Sequence, residues 1–435
     1  AVLFARSPAG PNVILVSLDT LRADFLGCYG ETRDTSPAID RFARSSVLFE
    51  NAYSQAPNTL LSHGSLLTSR YPSVNMASAE GNKVPKWRIF AAEILREAGY
   101  RTLGIVDSHF LTKTYGLEQG YDRYIRRGDG AKRIVAKARS WLDRYSDEPF
   151  FLFVHIYDIH SPYARTAPYK RRFVEKPYDG PVTSNSMELV KYQRQVRRGE
   201  TPDLAIDEAA AEYLRALYAG GVRETDDAIA PFLQYIEESA LGENTIVVLT
   251  SDHGEEFLEH GTVLHAELYR TVTHVPLIVR LPGGERGGKR VPQAVGLVDV
   301  LPTLLDVTGV ETPGKMSGHS LAGLMRGDET EAFRRFSFSE MSDDLGSVAT
   351  LNDRFHLVGK TGEGRWELFE YRNDRLEQED LFANHPETAD SLTRLITLWR
   401  REIEADIAAE AGRTTEAVEL DEATVRELKA FGYLD

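Results

Sequence analysis

The sequence NVILVSLDTLRADFLGCYG, at residues 12–30, joins an apolar run directly to an aspartate. The run Asn12–Leu18 shows no alternation of polar and apolar side chains, which predicts a strand that is buried on both faces. Asp19 follows this run at once. Because ligands of parallel α/β sheets collect at the carboxyl ends of the strands, its position makes Asp19 a candidate site residue.

Further apolar runs and helix-like segments follow in alternation along the chain. The runs are too continuous for strands with one solvated face, so they predict an α/β fold in which helices cover both sides of a large, mostly parallel sheet. The later predicted strands lie at residues 101–106, 150–155, 244–250 and 275–280, and the predicted helices at 131–145 and 204–239, the second one broken near Gly220 and Gly221.

After about residue 330, the alternation of long apolar runs and helix-like segments gives way to short strand-like pieces separated by turns. We predict a catalytic α/β domain at residues 1–330 and a C-terminal α+β subdomain at residues 331–435, in which a small antiparallel sheet packs with helices. The predicted strands of this subdomain lie at residues 334–340, 347–360 and 364–371, and its helices at 387–409 and 421–431.

The composition excludes several classes of protein. With 51 Lys and Arg against 66 Asp and Glu, the 435-residue chain carries a formal charge of −15, which disfavours nucleic acid and anionic membranes as partners. The single cysteine, Cys28, excludes an internal disulfide and a multi-cysteine zinc site, and we interpret it as a small core residue. No apolar run in the sequence is long enough for a transmembrane helix.

The first twelve residues, AVLFARSPAGPN, do not begin with Met. They either follow a removed initiator Met or remain after a signal peptide or membrane anchor is cut away. The apolar start and the Pro/Gly spacer favour the second interpretation, a lost tether. This interpretation favours a periplasmic or extracellular location over a cytoplasmic one.

Acidic residues and histidines follow two further predicted strands. Asp252 and His253 come after NTIVVLTS, and His155, Asp158 and His160 lie in FFLFVHIYDIHSPY. Any one of these residues has a simpler interpretation as a helix cap or a satisfied polar group. Together with Asp19 they favour a site for a divalent cation, which oxygen and imidazole ligands bind well.

A hydroxyl residue stands at the predicted start of a helix in NTLLSHGSLLTSRYP, residues 58–72. The N-terminus of a helix favours an anion, because its backbone N–H groups and dipole point there. Thr59 is therefore either a plain N-cap or a nucleophile that a neighbouring metal activates.

Seven ordered stretches together resemble the sulfatase-like branch of the alkaline phosphatase superfamily. This resemblance covers nearly the whole chain and implies an alkaline phosphatase-like fold. The stretches are NVILVSLDTLRADFLGCYG (12–30), NTLLSHGSLLTSRYP (58–72), FFLFVHIYDIHSPY (150–163), TIVVLTSDHGEEFLEHG (245–261), LHAELYRTVTHVPLIVRLPG (264–283), LVDVLPTLLDVTGV (297–310) and ELFEYRNDRLEQEDLF (367–382).

The sequence departs from the family pattern at the nucleophile. Sulfatases of this type make formylglycine from Cys or Ser in a C-x-P-S-R pattern; here Thr59 stands at the Cys position and His63 at the Arg position. The resemblance therefore implies an unmodified Thr59 nucleophile. It also implies one divalent metal, manganese or zinc before calcium, with the ligands Asp19, Thr59, Asp252 and His253. A second metal on Asp158, His160 and His265 is the less favoured alternative.

The resemblance also assigns the remaining polar residues. His109 aligns with the histidine of the family's Gly-Lys-Trp-His motif and His160 with its substrate-loop histidine, and both are candidate catalytic proton donors. Three further residues, His63, His265 and Asp107, fall at substrate-binding positions, of which those of His265 and Asp107 are lysines in the family. His155 and His274 are interpreted as structural. Asp24, Glu255, Glu256 and His260 are candidates for orienting the ligands.

These residues predict a metal-dependent ester hydrolase. The preferred substrate is a small-molecule or headgroup-type anionic phosphate ester, a phosphodiester or phosphonate monoester, cleaved through a covalent intermediate on Thr59, because the lost lysines disfavour a more highly charged group. The alternatives are a sulfatase without formylglycine, a transferase, and a catalytically weak binding homologue.

Residues 164–200 show no clear periodicity of apolar side chains. They are expected to form a long surface insertion, either a lid or a loop without a role.

Overall fold

The computed structural model of the chain describes most of the sequence. The described residues are 10–75, 82–163, 166–328, 336–341, 346–410, 412–413 and 416–430. Residues 1–9 of the segment interpreted as a lost tether, and the predicted domain boundary at 330/331, lie outside these ranges.

A mixed sheet of eight strands forms the centre of the described residues. The strands of this part of the chain are β1 (Asn12–Leu18), β2 (Val47–Tyr53), β3 (Arg101–Val106), β4 (Arg123–Arg126), β5 (Phe150–Ile156), β6 (Thr245–Thr250), β7 (Glu256–Phe257), β8 (Val263–Leu264), β9 (His274–Arg280) and β10 (Arg290–Gly296). The order of the strands in the large sheet is β10-β2-β9-β6-β1-β5-β3-β4, and a separate two-stranded ribbon pairs β7 with β8.

The prediction of a mostly parallel sheet is confirmed. β1 pairs in parallel with both β5 and β6, whereas β9 runs antiparallel between β2 and β6. Alternate residues of β1 enter opposite cores: Ile14 and Val16 pack on one face of the sheet, and Val13 and Leu15 on the other. Both faces are therefore buried, which explains why the sequence of β1 shows no alternation.

Helices cover both faces of the sheet. The helices are α1 (Pro37–Arg44), α2 (Thr59–Thr68), α3 (Pro72–Asn75), α4 (Ala91–Glu97), α5 (Ala131–Tyr145), α6 (Ala167–Lys170), α7 (Ser186–Arg197), α8 (Glu208–Glu238), α9 (Arg270–Thr273), α10 (Val300–Thr308), α11 (Ala322–Arg326), α12 (Pro386–Ala409) and α13 (Glu422–Ala430). No helix in the described part of the chain is long and apolar enough to cross a membrane.

The predicted break of α8 near its two glycines is wrong. The helix runs without interruption through Gly220 and Gly221, both of which are buried. Glycine costs a helix about 1 kcal/mol relative to alanine, and the burial of Leu214, Leu217 and Val222 against the core outweighs this cost. The continuous helix packs along α1, α5 and α6.

The segment at 164–200 is more regular than expected. Its described residues include α6 and α7, and Asn185 caps α7 by accepting the backbone N–H groups of Met187 and Glu188. Gln193 of α7 donates a 2.7 Å hydrogen bond to the carbonyl of Val263. The insertion therefore packs on β8, and its role as a lid stays a prediction.

Residues 331–435, predicted to form the C-terminal subdomain, include a four-stranded antiparallel sheet in their described part. Its strands are β11 (Ser337–Glu340), β12 (Ser347–Leu351), β13 (His356–Lys360) and β14 (Arg365–Phe369), so the single piece expected at 347–360 is two strands. Helix α12 packs on this sheet. Glu410, the residue that follows α12, forms a 2.7 Å ion pair with Arg88. Cys28 is half-buried against the core.

Candidate active site

Asp19 and Asp252 meet because their strands are parallel neighbours. Ser17 of β1 lies opposite Thr250 of β6, so the residues that follow the two strands leave the sheet side by side. The backbone N–H of Thr20 donates a 3.1 Å hydrogen bond to Asp252 Oδ1. Both carboxylates are fully buried, and they form the centre of the candidate site.

Thr59 is the first residue of α2 and faces this centre. The preceding Asn58 caps the helix by accepting the N–H of Leu61, which frees Thr59 from the capping role that was its alternative interpretation. The Thr59 hydroxyl donates to Asp19 Oδ2 at 3.4 Å. The positive end of the helix dipole therefore points at the same place as the hydroxyl.

Three ligand atoms at the centre are buried and have no hydrogen-bond partner. They are Asp19 Oδ1, Asp252 Oδ2 and His253 Nε2. These three residues also form one of the two groups in the described residues whose ligand atoms lie within 4.8 Å of one another. Leaving such atoms unpaired is costly, and two carboxylates with one imidazole suit a divalent cation. The residues present therefore fit a metal site.

The hydrogen bonds of His253 fix the nitrogen that it can offer to a metal. Its Nδ1 lies 3.0 Å from the carbonyl oxygen of Gly254. A carbonyl oxygen only accepts, so Nδ1 carries the hydrogen and Nε2 presents a lone pair.

The second group of potential ligands, His63, His155 and Asp252, is less suitable. His63 Nδ1 contacts the carbonyl of Thr59 at 2.8 Å and must donate to it, and its Nε2 contacts Ser17 Oγ at 2.9 Å. Both nitrogens of His63 therefore have protein partners. Through these two contacts, the ring of His63 links α2 to β1.

His155, interpreted from the sequence as structural, lies at the centre of the site. Its Nδ1 accepts the backbone N–H of Asp107 at 3.4 Å, so its Nε2 carries the hydrogen and donates to Asp19 Oδ2 at 3.0 Å. His155 lies opposite Ser17 in the register of β1 and β5. A prediction that β5 neighbours β1 would have placed this histidine beside Asp19.

The two carboxylates have different pKa values. Burial, together with the charge of Asp252, raises the pKa of Asp19 well above its usual range. Burial also disfavours ionised Asp252, but His253, His63 and His155 outweigh it and lower the pKa of Asp252 to about 2. Burial lowers the pKa of His63 and that of His155 to about 4. A bound cation would relieve the repulsion between the two carboxylates.

A row of rings leads outward from His253. Its ring centroid lies 4.4 Å from that of His265, which lies 5.3 Å from that of His160, and Tyr157 stacks on His160 at 4.3 Å. His265 Nδ1 donates to Glu255 Oε1 at 2.8 Å. No hydrogen-bond partner in the described residues contacts His265 Nε2.

The other residues singled out in the sequence lie further out. Asp158, proposed for a second metal, accepts the N–H of Ala131 and thereby caps α5. Neither group of potential ligands in the described residues includes Asp158, His160 or His265. His109 begins a single turn of 3-10 helix shortly after β3.

Three further assignments concern residues around the site. His260 contacts Glu256 at 2.5 Å, and Asp24 forms an ion pair with Arg22. His274, interpreted as structural, contacts the carbonyl of Glu50 through Nε2 at 2.9 Å.

Relatives of this chain include enzymes that act on sulfate esters. It is 25% identical over 415 residues to an ulvan-active sulfatase of Formosa agariphila, covering 86% of this chain and 78% of the relative. It is 27% identical over 394 residues to the multifunctional alkaline phosphatase superfamily protein PehA of Trinickia caryophylli, covering 71% and 76%.

The fold is shared with solved hydrolases. The structure of the phosphonate monoester hydrolase of Agrobacterium radiobacter superposes with a TM-score of 0.73 at 20% identity and covers 95% of this chain and 99% of its own. The predicted alkaline phosphatase-like fold is thereby confirmed.

Two family profiles match the chain. The profile described as N-sulphoglucosamine sulphohydrolase, C-terminal, matches residues 258–398, and the profile described as sulfatase matches residues 11–310. The second match covers more than half of the chain and contains Asp19, Thr59, Asp252 and His253. The chain therefore belongs to the sulfatase family of the alkaline phosphatase superfamily, a family of hydrolases.

Proposed function

We propose that this protein hydrolyses a small ester whose reacting group carries one negative charge, with Thr59 as the nucleophile. The main support for this proposal is the position of the Thr59 hydroxyl. It lies at the start of a helix and contacts the carboxylate of Asp19, beside three buried ligand atoms that lack hydrogen-bond partners. A hydroxyl in this position is pre-oriented for attack on a bound oxyanion.

The charge of the site supports a monoanionic substrate. In the described part of the chain, no lysine or arginine contacts Asp19, Thr59, Asp252 or His253. Two buried carboxylates at the centre oppose a further accumulation of negative charge. A phosphodiester, a phosphonate monoester and a sulfate monoester each carry a single charge on the reacting group, and a small molecule or a headgroup is the expected source.

Asp19, Asp252 and His253 would hold a divalent cation, manganese or zinc before calcium, through the three atoms that lack partners, with Thr59 as a further ligand. When bound, such an ion supplies positive charge that stabilises the developing oxyanion and lowers the pKa of the Thr59 hydroxyl. His155 and the backbone N–H of Thr20 hold the two carboxylates in position. Burial of all these groups excludes bulk water and strengthens their electrostatic interactions.

Thr59 forms the new bond in the first step. Its oxygen bonds to phosphorus as the bond to the leaving oxygen breaks, and its proton moves to Asp19 Oδ2. The leaving oxygen takes a proton from His265, which Glu255 orients through Nδ1. In the second step, water gives a proton to His265 and attacks phosphorus. The bond between phosphorus and the Thr59 oxygen breaks, and Thr59 takes its proton back from Asp19 Oδ2.

The preferred substrates are phosphodiesters and phosphonate monoesters. A sulfate ester is the second candidate, and the sulfatase relatives favour it. Thr59 has a single hydroxyl, so the sulfate reaction needs attack of water on sulfur in the second step instead of the elimination that a formylglycine hydrate allows. Because of this difference, phosphate and phosphonate esters are preferred to sulfate esters as substrates.

One experiment distinguishes the two candidates. The enzyme with manganese is mixed briefly with a bis(aryl) phosphate or an aryl sulfate, quenched in acid, and digested for mass spectrometry. We expect a phosphoryl mass on the peptide that contains Thr59. A sulfuryl adduct on that peptide would establish the second candidate. Turnover without any adduct on Thr59, and with full activity in the Thr59→Ala variant, would overturn the assignment of the nucleophile.

A further inference from the structure

One cavity, which we call the arginine cavity, lies between the large sheet and the C-terminal subdomain. Its volume is about 240 Å³. None of its lining residues is Asp19, Thr59, Asp252 or His253, so it is separate from the candidate metal centre. Five arginines line it: Arg22, Arg270, Arg290, Arg372 and Arg375.

Two of these arginines are neutralised by carboxylates. Arg22 forms an ion pair of 2.7 Å with Asp24 and another of 2.7 Å with Glu259. Arg290 pairs with Glu50 at 2.6 Å. Asp24 and Glu50, the carboxylates that line the cavity, are therefore already engaged.

The other three arginines keep an excess of positive charge. Among the described residues, no side-chain carboxylate forms an ion pair with Arg270, Arg372 or Arg375. Arg372 donates through Nε to the carbonyl of Asp353, which leaves its charge uncompensated. Three unpaired guanidinium groups around one cavity are unusual in a chain with a net charge of −15, because the overall composition favours acidic neighbours.

Arg270 is held in place without losing its charge. Its Nη1 donates a 2.8 Å hydrogen bond to the hydroxyl of Tyr53, and its guanidinium carbon lies 4.8 Å from the ring centroid of Tyr371. Burial and the charge of Arg270 lower the pKa of the neighbouring His274 well below its usual range, so this ring stays neutral beside Arg270. A guanidinium fixed in this way loses little freedom when it binds an oxyanion.

We propose that the arginine cavity binds a small oxyanion such as a sulfate, sulfonate or phosphate group. The group is either a free ion or an acidic substituent of a larger molecule, because both present the same oxygens to the guanidinium groups. The site is formed by both parts of the chain: Arg270 begins α9 in the larger part, and Arg372 and Arg375 follow β14 in the C-terminal subdomain.

The proposal does not depend on the proposed function. Binding at the arginine cavity is measured directly and requires no turnover. Arg372 and Arg375 are exposed, so their replacement by glutamine should leave the fold intact, which a thermal unfolding curve checks.

Isothermal titration calorimetry on the full-length, metal-loaded protein at low salt tests the proposal. The probes are benzene-1,3-disulfonate, whose carbon–sulfur bonds an ester hydrolase does not cleave, and inorganic sulfate. The test variant is Arg372→Gln/Arg375→Gln. The control variant, Arg394→Gln/Arg401→Gln, removes the same charge from two exposed arginines of α12 outside the cavity.

We expect the disulfonate to bind the wild-type protein and the control variant alike, and the test variant at least about tenfold more weakly, since one charge-assisted contact accounts for about that factor. Sulfate binding as tight as that of the disulfonate identifies a free ion as a sufficient ligand; much weaker sulfate binding identifies an acidic group of a larger molecule. Equal affinity in the wild type and the test variant, equal losses in both variants, or no binding of either probe would overturn the proposal.

Discussion

Thr59 Oγ1 lies 3.4 Å from Asp19 Oδ2, the same carboxylate oxygen that His155 Nε2 contacts at 3.0 Å. One oxygen therefore links the start of α2, the end of β1 and the end of β5. Its neighbour Oδ1 is buried without a partner. The carboxylate thus orients the candidate nucleophile with one oxygen and has the other available for a cation.

The first prediction concerns the nucleophile. Replacing Thr59 with Ala should reduce kcat by about 10³-fold or more, because the attacking atom is lost while the rest of the site remains. Thr59→Ser keeps a hydroxyl at the same position and should retain part of the activity. Steady-state kinetics with an aryl phosphodiester measure both effects.

Thr68 provides the control for this prediction. It lies in the same helix, but its hydroxyl donates to the carbonyl of Gly64 and to the side chain of Asn75 and makes no contact with the candidate ligands. Thr68→Ala should therefore lower stability without a comparable loss of kcat. Equal losses in the two variants would show that Thr59 acts through the structure of α2.

The second prediction concerns the cation. Because Asp252 Oδ2 is one of three converging atoms without partners, Asp252→Asn should weaken metal binding at least about 100-fold, more than the loss of an outer contact does. Equilibrium dialysis with manganese or zinc measures this without an assay of turnover. Asp158→Asn, at a neighbouring strand end but engaged in capping α5, should bind metal as the wild type does.

Chelation should also destabilise the protein. A ligand that binds only the folded state stabilises it by about 2.7 kcal/mol at a free concentration of 100 times Kd. We therefore expect Tm to fall when the metal is removed from the wild type and to recover when it is restored. If metal raises the Tm of Asp252→Asn by as much as it raises that of the wild type, the proposed ligand set is wrong.

The third prediction concerns His155 as a positioning residue. Its Nε2–H group donates to Asp19, so His155→Leu should weaken metal binding by about 10- to 100-fold. His155→Gln can still present an N–H group and should recover part of the affinity. If leucine and glutamine have the same effect, the hydrogen bond is not what positions Asp19.

Sequence reasoning identified Asp19 and Asp252 as candidate ligands because each follows a buried parallel strand. β1 and β6 both read as continuous apolar runs, so the convergence of Asp19 and Asp252 follows from strand order alone. β2 contains Glu50 and Asn51, which are half-exposed, and this mixed pattern hid a strand of the sheet. Two adjacent glycines falsely suggested the break in α8, since packing along its length was not visible in the sequence.

The roles of individual histidines could not be derived in the same way. His155 ends a run of apolar residues and resembles a core histidine until the register of β1 and β5 places it beside Asp19. His63 stands at the arginine position of the family pattern and was assigned to substrate binding, yet both of its nitrogens have partners within the protein. Which nitrogen carries a hydrogen depends on contacts between distant segments, and local sequence does not encode those contacts.

The fourth prediction concerns pH and a carboxylate far from the site. Asp226 of α8 accepts the backbone N–H groups of Ala38 and Ile39 at the start of α1, but burial raises its pKa to about 6 from 3.8. The folded state therefore holds this proton more tightly than the unfolded state does. Its contribution to stability is present at low pH and is lost as pH rises towards 6.

Asp226→Asn should remove this dependence. Relative to the wild type, the variant should gain about 2 kcal/mol of unfolding free energy between pH 4.5 and pH 7.5, at 1.36 kcal/mol per pKa unit. Urea denaturation of both proteins at the two pH values gives this difference, in which contributions of the metal site cancel. A difference that does not change with pH would show that Asp226 is ionised throughout.

The fifth prediction concerns the proton donor. His265 Nδ1 donates to Glu255, its ring neighbours that of His253, and its Nε2 has no hydrogen-bond partner in the described residues. If His265 protonates the leaving oxygen, His265→Ala should slow poor leaving groups by about 10²-fold or more and good ones far less. A nitrophenolate departs without help, whereas an alkoxide does not.

The measurement is kcat/KM for aryl esters with a series of leaving-group pKa values. We expect a steeper dependence on the leaving group in His265→Ala than in the wild type, and an intermediate slope in Glu255→Gln, because the amide still accepts the Nδ1–H bond but no longer stabilises a protonated ring. His160→Ala serves as the comparison, since its ring adjoins that of His265. A steeper slope in His160→Ala than in His265→Ala would transfer the role of the acid to His160.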